Sequence, residues 1–279
     1  MALFLFLHIC ISELVLNKNN VMEQTQQKPQ FPTEEVTLPS KGLLYPEGHP
    51  LKSGVIQMKY MTAKEEDILT NQNFIKNGTV IDKLLKSLIV DKSINMDDLL
   101  IGDKNAILIA ARILGYGNEY TFKTPHPETG EPEEVTIDLT EADDKPFSGD
   151  NISTENEFEY ELPTSKVLLT FKLLTQGDEK KIESEIKGLK KISKLNTANL
   201  TTRLKHIIKS VNGDREVKTI REFVDNQFLA RDSRAFREHI SEIMPDIDLK
   251  FDLHFNDGTV AENVNIPINI SFFWPDASV

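Results

Sequence analysis

The chain has 279 residues, which is enough for one large domain or two of ordinary size, and either can bury a sufficient core without disulfides. Its 44 acidic and 32 basic residues give a formal net charge of -12, so a nucleic-acid partner is not expected. The one cysteine, Cys10, excludes an intrachain disulfide and a thiolate metal site within one chain, and it favours a reducing, intracellular setting.

The first residues, MALFLFLHICISELVLN, form the only strongly apolar run. This run has no basic n-region and no A-x-A-like cleavage site, it contains His8 and Glu13, and it is shorter than the about 20 residues of a membrane span. We therefore favour a translation start at Met22, with a short membrane anchor or a partner-binding arm as alternatives, and we expect no membrane partner. Residues 24–35 are Gln-rich and contain Pro29 and Pro32, so residues 1–35 are predicted to be a leader and a disordered tail.

A first α+β unit is predicted over residues 36–145. The segment VTLPSKGLLYPEGHPL is either an ordered irregular connection or a plain surface loop, and GVIQMKYM alternates as a strand does. Thr62 and Glu65 form a capping box at the start of a helix that runs through Leu69. The segment TVIDKLLKSLIVD has the apolar face of a helix that packs on a core.

The same unit ends with a longer helix and a hairpin. Asp103 is the predicted N-cap of a helix that carries Ile107 and Leu108 and that Gly115 and Gly117 terminate. The segment YTFKTPHPETGEPEEVTIDL then predicts two strands around a Pro/Gly-rich turn.

A second α+β unit is predicted over residues 146–279, after the acidic boundary TEADDKPFSGDNISTE. KVLLTFKLL predicts a strand, Thr175 with Asp178 caps a helix, and LTTRLKHIIKSV predicts a helix whose apolar face extends to Val211. VKTIREFVDNQFL is a further amphipathic segment. Asp232 is the predicted cap of SRAFREHISEIM, which Pro245 ends, and LKFDLHFNDGTVAENVNIPINI predicts a hairpin around Asn-Asp-Gly.

The two halves have the same order of elements. We therefore predict an α+β fold of two related units, each strand-helix-helix-helix-β-hairpin, after a disordered N-terminal tail; chance similarity of common α+β patterns is the alternative. A duplicated unit without a cluster of catalytic residues favours a scaffold or assembly protein. The matching pairs are Thr62 with Thr175, Asp103 with Asp232, Ala106 with Ala235, Phe122 with Phe251, Gly130 with Gly258, and Val135 with Val264.

Sequence motifs that carry enzymatic chemistry are missing. The chain contains no G-x-x-x-x-G-K-[ST], G-x-G-x-x-G, G-x-S-x-G or H-E-x-x-H pattern, so no catalytic residue and no cofactor is predicted. Carboxylate pairs such as Asp97 with Asp98 are interpreted as solvated surface charges. His126 and His254 each lie near a predicted hairpin turn, but two histidines are an incomplete metal site, so we expect exposed turn residues and no metal.

Two segments are candidates for protein contacts. Residues 187–209 are rich in lysine without interleaved aromatic residues, which is typical of a solvated helix face or of a docking face for an acidic partner. The C-terminal IPINISFFWPDASV contains Phe272, Phe273 and Trp274, the only tryptophan. These three residues either fill the core of the second unit or dock into a partner subunit, and they are our candidate partner-docking residues.

Several segments carry a resemblance to a known family: LPSKGLLYPEGHPL, MKYMTAKEEDILTN, IDKLLKSLI, LLIGDKNAILIAARILGYG, DSRAFREHISEIMPDID and FFWPD. Over residues 36–276 the chain resembles the baseplate hub subunit family of T-even-like contractile-tailed bacteriophages. The resemblance implies a structural or assembly protein of the tail baseplate that acts by protein contacts at the central hub, with no catalytic residues to transfer.

The resemblance also implies partners and a location. We expect other baseplate hub or tail proteins as partners, with a homo-oligomer as a further option, and we expect the protein in the host cytoplasm during assembly and then in the virion tail baseplate. The alternative is an assembly chaperone for the hub or for the tape-measure protein that is absent from the mature virion. A cell-wall hydrolase is disfavoured, since no paired-carboxylate motif or metal set is recognisable.

Overall fold

The computed structural model describes residues 32–145, 147, 156–192, 199–266, 268 and 270–273. The predicted leader and the predicted tail as far as residue 31 lie outside the described residues, as does most of the acidic boundary. Glu34–Val279 forms one compact unit.

The first half contains the predicted helices and hairpin in the predicted order. It also contains a strand, Thr33–Thr37, that begins inside the predicted disordered tail, and a short helix, Gln72–Lys76, that was not predicted. Short 3-10 turns at Pro50–Ser53, Met96–Asp98 and Leu139–Glu141 connect them. The elements are β1 (Thr33–Thr37), β2 (Val55–Lys59), α1 (Ala63–Thr70), α2 (Gln72–Lys76), α3 (Val80–Leu88), α4 (Ile101–Tyr116), β3 (Glu119–Pro125) and β4 (Pro132–Asp138).

The second half has a similar composition of elements. Within the described ranges, helices and small sheets alternate in both halves, with strand orders β1-β2, β3-β4, β5-β6-β7 and β8-β9, which confirms the predicted α+β class. The elements are β5 (Phe158–Glu161), β6 (Leu168–Phe171), α5 (Gln176–Ile192), α6 (Asn199–Ile207), β7 (Ile208–Val211), α7 (Val217–Glu222) with a π-helical turn (Phe223–Gln227), α8 (Ala230–Ile243), β8 (Lys250–His254), β9 (Val260–Asn265) and a 3-10 turn (Ile270–Phe273).

The two predicted caps are present. The backbone N–H of Thr62 donates to Glu65 Oε2 at 3.0 Å, and that of Thr175 donates to Asp178 Oδ2 at 3.2 Å. In both places a lysine three residues before the threonine also binds the carboxylate at 2.7 Å, a contact that was not predicted. Each cap therefore also ties the preceding strand to the first turn of its helix.

The prediction that Asp103 is an N-cap is wrong. Helix α4 begins at Ile101, with Leu100 as an extended N-cap residue, and the carboxylate of Asp103 is fully buried. It accepts hydrogen bonds from the backbone N–H of Ser40 at 2.9 Å, from the Ser40 hydroxyl at 2.7 Å and from the Tyr45 hydroxyl at 2.7 Å. These hydrogen bonds anchor the segment around Ser40 and Tyr45 on α4, so this segment is an ordered connection. They also pair its buried donors, as buried polar groups require.

The prediction that Asp232 is an N-cap is wrong for the same reason. Helix α8 begins at Ala230 after the extended residue Leu229, and the buried Asp232 carboxylate accepts from the backbone N–H groups of Thr164 at 2.8 Å and Ser165 at 2.9 Å. Both aspartates occupy the third helical position, and both bind a loop that begins Leu-Pro (LPSK and LPTS).

Three further details differ from the prediction: the end of one helix, an additional strand, and the position of Gly115. The helix expected to continue to Val211 ends at Ile207, because Ile208–Val211 forms β7 and pairs with the edge of β6 opposite β5. Strand β5 was not predicted, since its four residues follow directly on a polar, acidic segment that gave no strand signal. Gly117, with φ 86°, follows the last residue of α4 as expected, whereas Gly115 lies inside the helix.

The two halves are joined by backbone hydrogen bonds at the start of α4. Gln176 N–H donates to the Leu99 carbonyl at 2.8 Å, and Ile101 N–H donates to the Leu174 carbonyl at 3.2 Å. Nearby, Gly102 packs directly on the backbone that follows α8, where a Cβ at position 102 would lie 1.8 Å from the Pro245 carbonyl oxygen. A side chain at position 102 is therefore incompatible with this packing.

Replacing Gly102 by Ala should lower the free energy of unfolding by at least about 2 kcal/mol, because the added methyl group would overlap the Pro245 backbone, which cannot move as a flexible side chain can. The matched control is Gly188→Ala in α5. At that position a Cβ meets no atom within 4 Å, and we expect a gain of about 0.5–1 kcal/mol from helix propensity. Urea denaturation of both variants measures the difference; equal stabilities would contradict the close contact.

Acid sensitivity should depend on Glu65. Burial alone raises the pKa of this carboxyl, but hydrogen bonds from Lys59, Ser87 and Thr62 outweigh burial and lower the pKa to about 2. The folded state therefore holds the charged form more tightly than the unfolded chain does. This stabilisation is complete above about pH 4.5 and is lost as the pH falls towards 2.

We expect Glu65→Gln to be less stable at pH 7 by on the order of 2 kcal/mol, and we expect its difference from the natural chain to shrink between pH 4.5 and 2. Glu66→Gln, at an exposed position on the same helix, is the control and should follow the natural chain. Denaturant titrations at a series of pH values measure both. A difference for Glu65→Gln that does not change with pH would show that the carboxylate is not specifically stabilised.

Candidate functional site

The candidate docking residues Phe272 and Phe273 lie in the last described turn, and each side chain is 1% exposed. The Phe272 ring meets the Tyr120 ring edge-on, with the ring centroids 4.9 Å apart. The Phe273 ring is nearly perpendicular to the Phe272 ring, with the centroids 5.5 Å apart. Trp274 lies outside the described residues. The two phenylalanines agree with the core-filling alternative, and docking by this segment stays a prediction.

A buried arginine holds the C-terminal segment in place. Arg112 on α4 donates from Nε to the Phe272 carbonyl at 3.1 Å, from Nη1 to the Gly117 carbonyl at 3.1 Å and from Nη2 to the Glu119 carbonyl at 3.3 Å. Its guanidinium also lies over the Tyr120 ring, 5.7 Å from the centroid. This role of Arg112 was not predicted from the sequence; its signal is one cation within the otherwise apolar run AILIAARILG.

The prediction that His126 is an exposed turn residue is wrong, since the side chain is 4% exposed. Its Nδ1 accepts from the backbone N–H groups of Glu128 at 3.2 Å and Thr129 at 3.3 Å, and its Nε2 lies 3.3 Å from Asp257 Oδ2. The ring meets Phe255 edge-on at 4.8 Å. The imidazole is buried because the tip of the β3–β4 hairpin packs against the tip of the β8–β9 hairpin.

Both ring nitrogens of His126 are thus engaged within the protein, so the ring presents no free lone pair to a ligand. His254 lies at the end of β8 and is exposed. Within the described residues, no group of three or more His, Cys, Asp or Glu side chains is arranged to hold a metal ion.

The buried carboxylates are bound to donors of the same chain. Burial raises the pKa of the Asp103 carboxyl, and the hydrogen bonds from Ser40 and Tyr45 oppose this effect without cancelling it. Burial also acts to raise the pKa of Asp232, but the hydrogen bonds from Ser165 and Thr164 outweigh it and lower the pKa to about 2. Both acids connect distant segments, and their oxygens point at those segments rather than into a cleft.

The basic segment, residues 187–209, covers the end of α5, all of α6 and the start of β7, with residues 193–198 outside the described ranges. Many of its cations contact acids of the same chain. The pairs are Lys187 with Glu183 at 3.4 Å, Arg203 with Glu179 at 2.8 Å, Lys205 with Asp225 at 2.6 Å, His206 with Glu185 at 2.9 Å, and Lys209 with Glu157.

Replacing Phe272 by Ala should lower the free energy of unfolding by about 3–5 kcal/mol, because it empties a buried site between Tyr120 and Phe273. Leu200→Ala, at a position that is 43% exposed, is the control and should cost less than about 1 kcal/mol. Thermal and denaturant unfolding measure both. A loss for Phe272→Ala no larger than that of the control would refute the core-filling role and favour docking.

None of the described helices combines the length and the apolar character needed to cross a membrane. Searches of curated proteins and of solved structures returned no match. A family model described as T4 bacteriophage base plate protein matches residues 32–274, a region that includes every helix and strand given above. Because this match covers most of the sequence, the chain belongs to the T4 bacteriophage base plate protein family.

Proposed function

We propose that this protein is a non-enzymatic component of the central hub of a contractile-tail baseplate and that it acts through contacts with other hub or tail proteins. The observation that carries the proposal is the family match over residues 32–274, which spans both halves of the fold rather than one isolated motif. The likeness of LPSKGLLYPEGHPL and FFWPD to hub subunits supports the finer assignment to the hub. The protein would assemble in the host cytoplasm and then reside in the tail.

The use of the buried polar groups supports a non-enzymatic role. A catalytic acid or base needs an oxygen or nitrogen that can reach a substrate, in a setting that tunes its pKa. Asp103, Asp232 and His126 are buried, and their polar atoms bind loops and turns of this chain. These contacts connect separate parts of the chain, and they explain why the three side chains are buried.

We also propose that residues 36–145 and 146–279 are two related units. Helices α3 and α6 are both nine residues long, and each is followed by a residue that pairs with the preceding strand: Ile89 with Met58, and Ile208 with Phe171. The two lysine-bound caps and the two loop-binding aspartates add to this correspondence. Two related units would offer similar surfaces to two neighbours in the hub, or to a second copy of the chain.

The proposal predicts that the protein is present in purified mature tails at a fixed, low copy number. Quantitative mass spectrometry of tails and of assembly intermediates measures this number, with a major tail subunit as the internal standard. Presence in intermediates but absence from tails would overturn the structural role and favour an assembly chaperone.

Docking by the aromatic end can be tested in the same particles. If Trp274 contacts a neighbouring subunit, Trp274→Ala should unfold at the same temperature as the natural chain but be reduced in tails, because aromatic residues often dominate interface energies. Normal incorporation of a stable variant would exclude this contact.

A further inference from the structure

We propose that a basic groove beside α6 binds an acidic, amphipathic segment of a partner protein. This inference rests on the proposed function, since it assigns one of the surfaces through which the protein would contact its neighbours. The groove has a volume of about 410 Å³ and lies among α5, α6, β7 and α7. Its lining consists of Glu185, Lys205, His206, Ile208, Lys209, Arg215, Val217, Ile220 and Arg221.

The charge of the groove is opposite to that of the whole protein. Four lysine or arginine side chains and one glutamate line it, in a chain of net charge -12. Two acids that do not line the groove offset part of this charge: Glu157 binds both Lys209 and Arg215, and Asp225 binds Lys205. When these two acids are counted with the glutamate of the lining, four cations stand against three acids, so the groove still carries a net positive charge and attracts anionic groups.

Arg221 supplies the cation that is most available to a partner. Its side chain is exposed, and within the described part of the chain no acidic side chain forms an ion pair with it. A partner carboxylate could therefore bind this guanidinium without displacing an existing pair, and guanidinium groups bind carboxylates in a planar, two-pronged geometry.

The apolar part of the lining narrows the class of partner. Ile208 and Ile220 form a buried floor, at 3% and 7% exposed, whereas Val217 is 61% exposed. A partner segment that combines carboxylates with one or two apolar side chains could cover Val217 while it pairs with the cations. Nucleic acid fits less well, since no phenylalanine, tyrosine or tryptophan side chain lines the groove for base stacking.

The occupant is assigned to a different protein rather than to a second copy. Two copies of a chain with net charge -12 repel each other at long range, whereas an acidic segment on a flexible or less charged partner carries a smaller penalty. Electrostatic complementarity of this kind mainly raises the association rate and selects among partners. Such a groove is therefore suited to ordered assembly from many different subunits.

The first test measures binding of the purified full chain to a fluorescently labelled peptide in which two glutamates alternate with one leucine. Matched peptides with glutamine or lysine in place of glutamate are the peptide controls. We expect binding of the glutamate peptide alone, weakened by added salt, and we expect Arg221→Glu to weaken it about tenfold. Arg231→Glu makes the same charge change at an exposed position outside the groove and should change binding less than about twofold.

Failure to bind the glutamate peptide, or equal loss in Arg221→Glu and Arg231→Glu, would overturn the assignment of the groove. A change of sedimentation coefficient caused by Arg221→Glu alone would also overturn it, because the occupant would then be a second copy. Tail incorporation separates this inference from the proposed function. Normal incorporation of Arg221→Glu refutes the groove only, whereas absence of the natural chain from tails refutes the hub role.

Discussion

The buried carboxylate of Asp103 is the contact on which most of the first half depends. It accepts three hydrogen bonds from Ser40 and Tyr45, and the Tyr45 hydroxyl in turn accepts a hydrogen bond from the Leu100 N–H at 3.0 Å. Without the carboxylate these donors would be buried and unpaired, a penalty that exceeds the modest net gain from an ordinary hydrogen bond. The irregular segment between β1 and β2 is thus held by this carboxylate together with its own backbone turns and buried leucines, rather than by a sheet.

The same helix holds three separate parts of the chain. The first turn of α4 holds the N-terminal connection through Asp103 and contacts the backbone after α8 through Gly102. Three turns later, Arg112 binds the carbonyl of Phe272 near the C-terminal end. Helix α4 therefore connects both ends of the described fold and both halves, so the chain from Glu34 onward packs as one unit.

This construction has a consequence for the function of a baseplate protein. Most buried polar groups of the described residues are used to connect segments, whereas the chain carries an excess of acidic charge and its surface includes a basic groove beside α6. A subunit that must meet several neighbours in a set order benefits from surfaces of different charge, because like charges disfavour wrong contacts. The proposed groove agrees with this distribution of charge.

The local elements could be predicted because their signals lie within a few residues of each other. The capping boxes at Thr62 and Thr175, the apolar face of α3 and both hairpins depend on neighbours in sequence, and all are present. The partners of Asp103 and Asp232 lie 58 to 68 residues away, and no local pattern distinguishes a carboxylate that caps its own helix from one that binds a distant loop.

The environments of His126 and of Ile208–Val211 show the same difference between local sequence signals and contacts with distant segments. His126 was expected at the surface because hairpin turns usually lie there, but a second hairpin from the other half covers it. Ile208–Val211 forms a strand instead of continuing the predicted helix, because it pairs with the edge of β6 that β5 leaves open. Composition and spacing therefore decided the capped helices and both hairpins. The approach of distant segments decided where α6 ends, which polar groups are buried and what they bind, since these depend on neighbours that only the folded chain brings together.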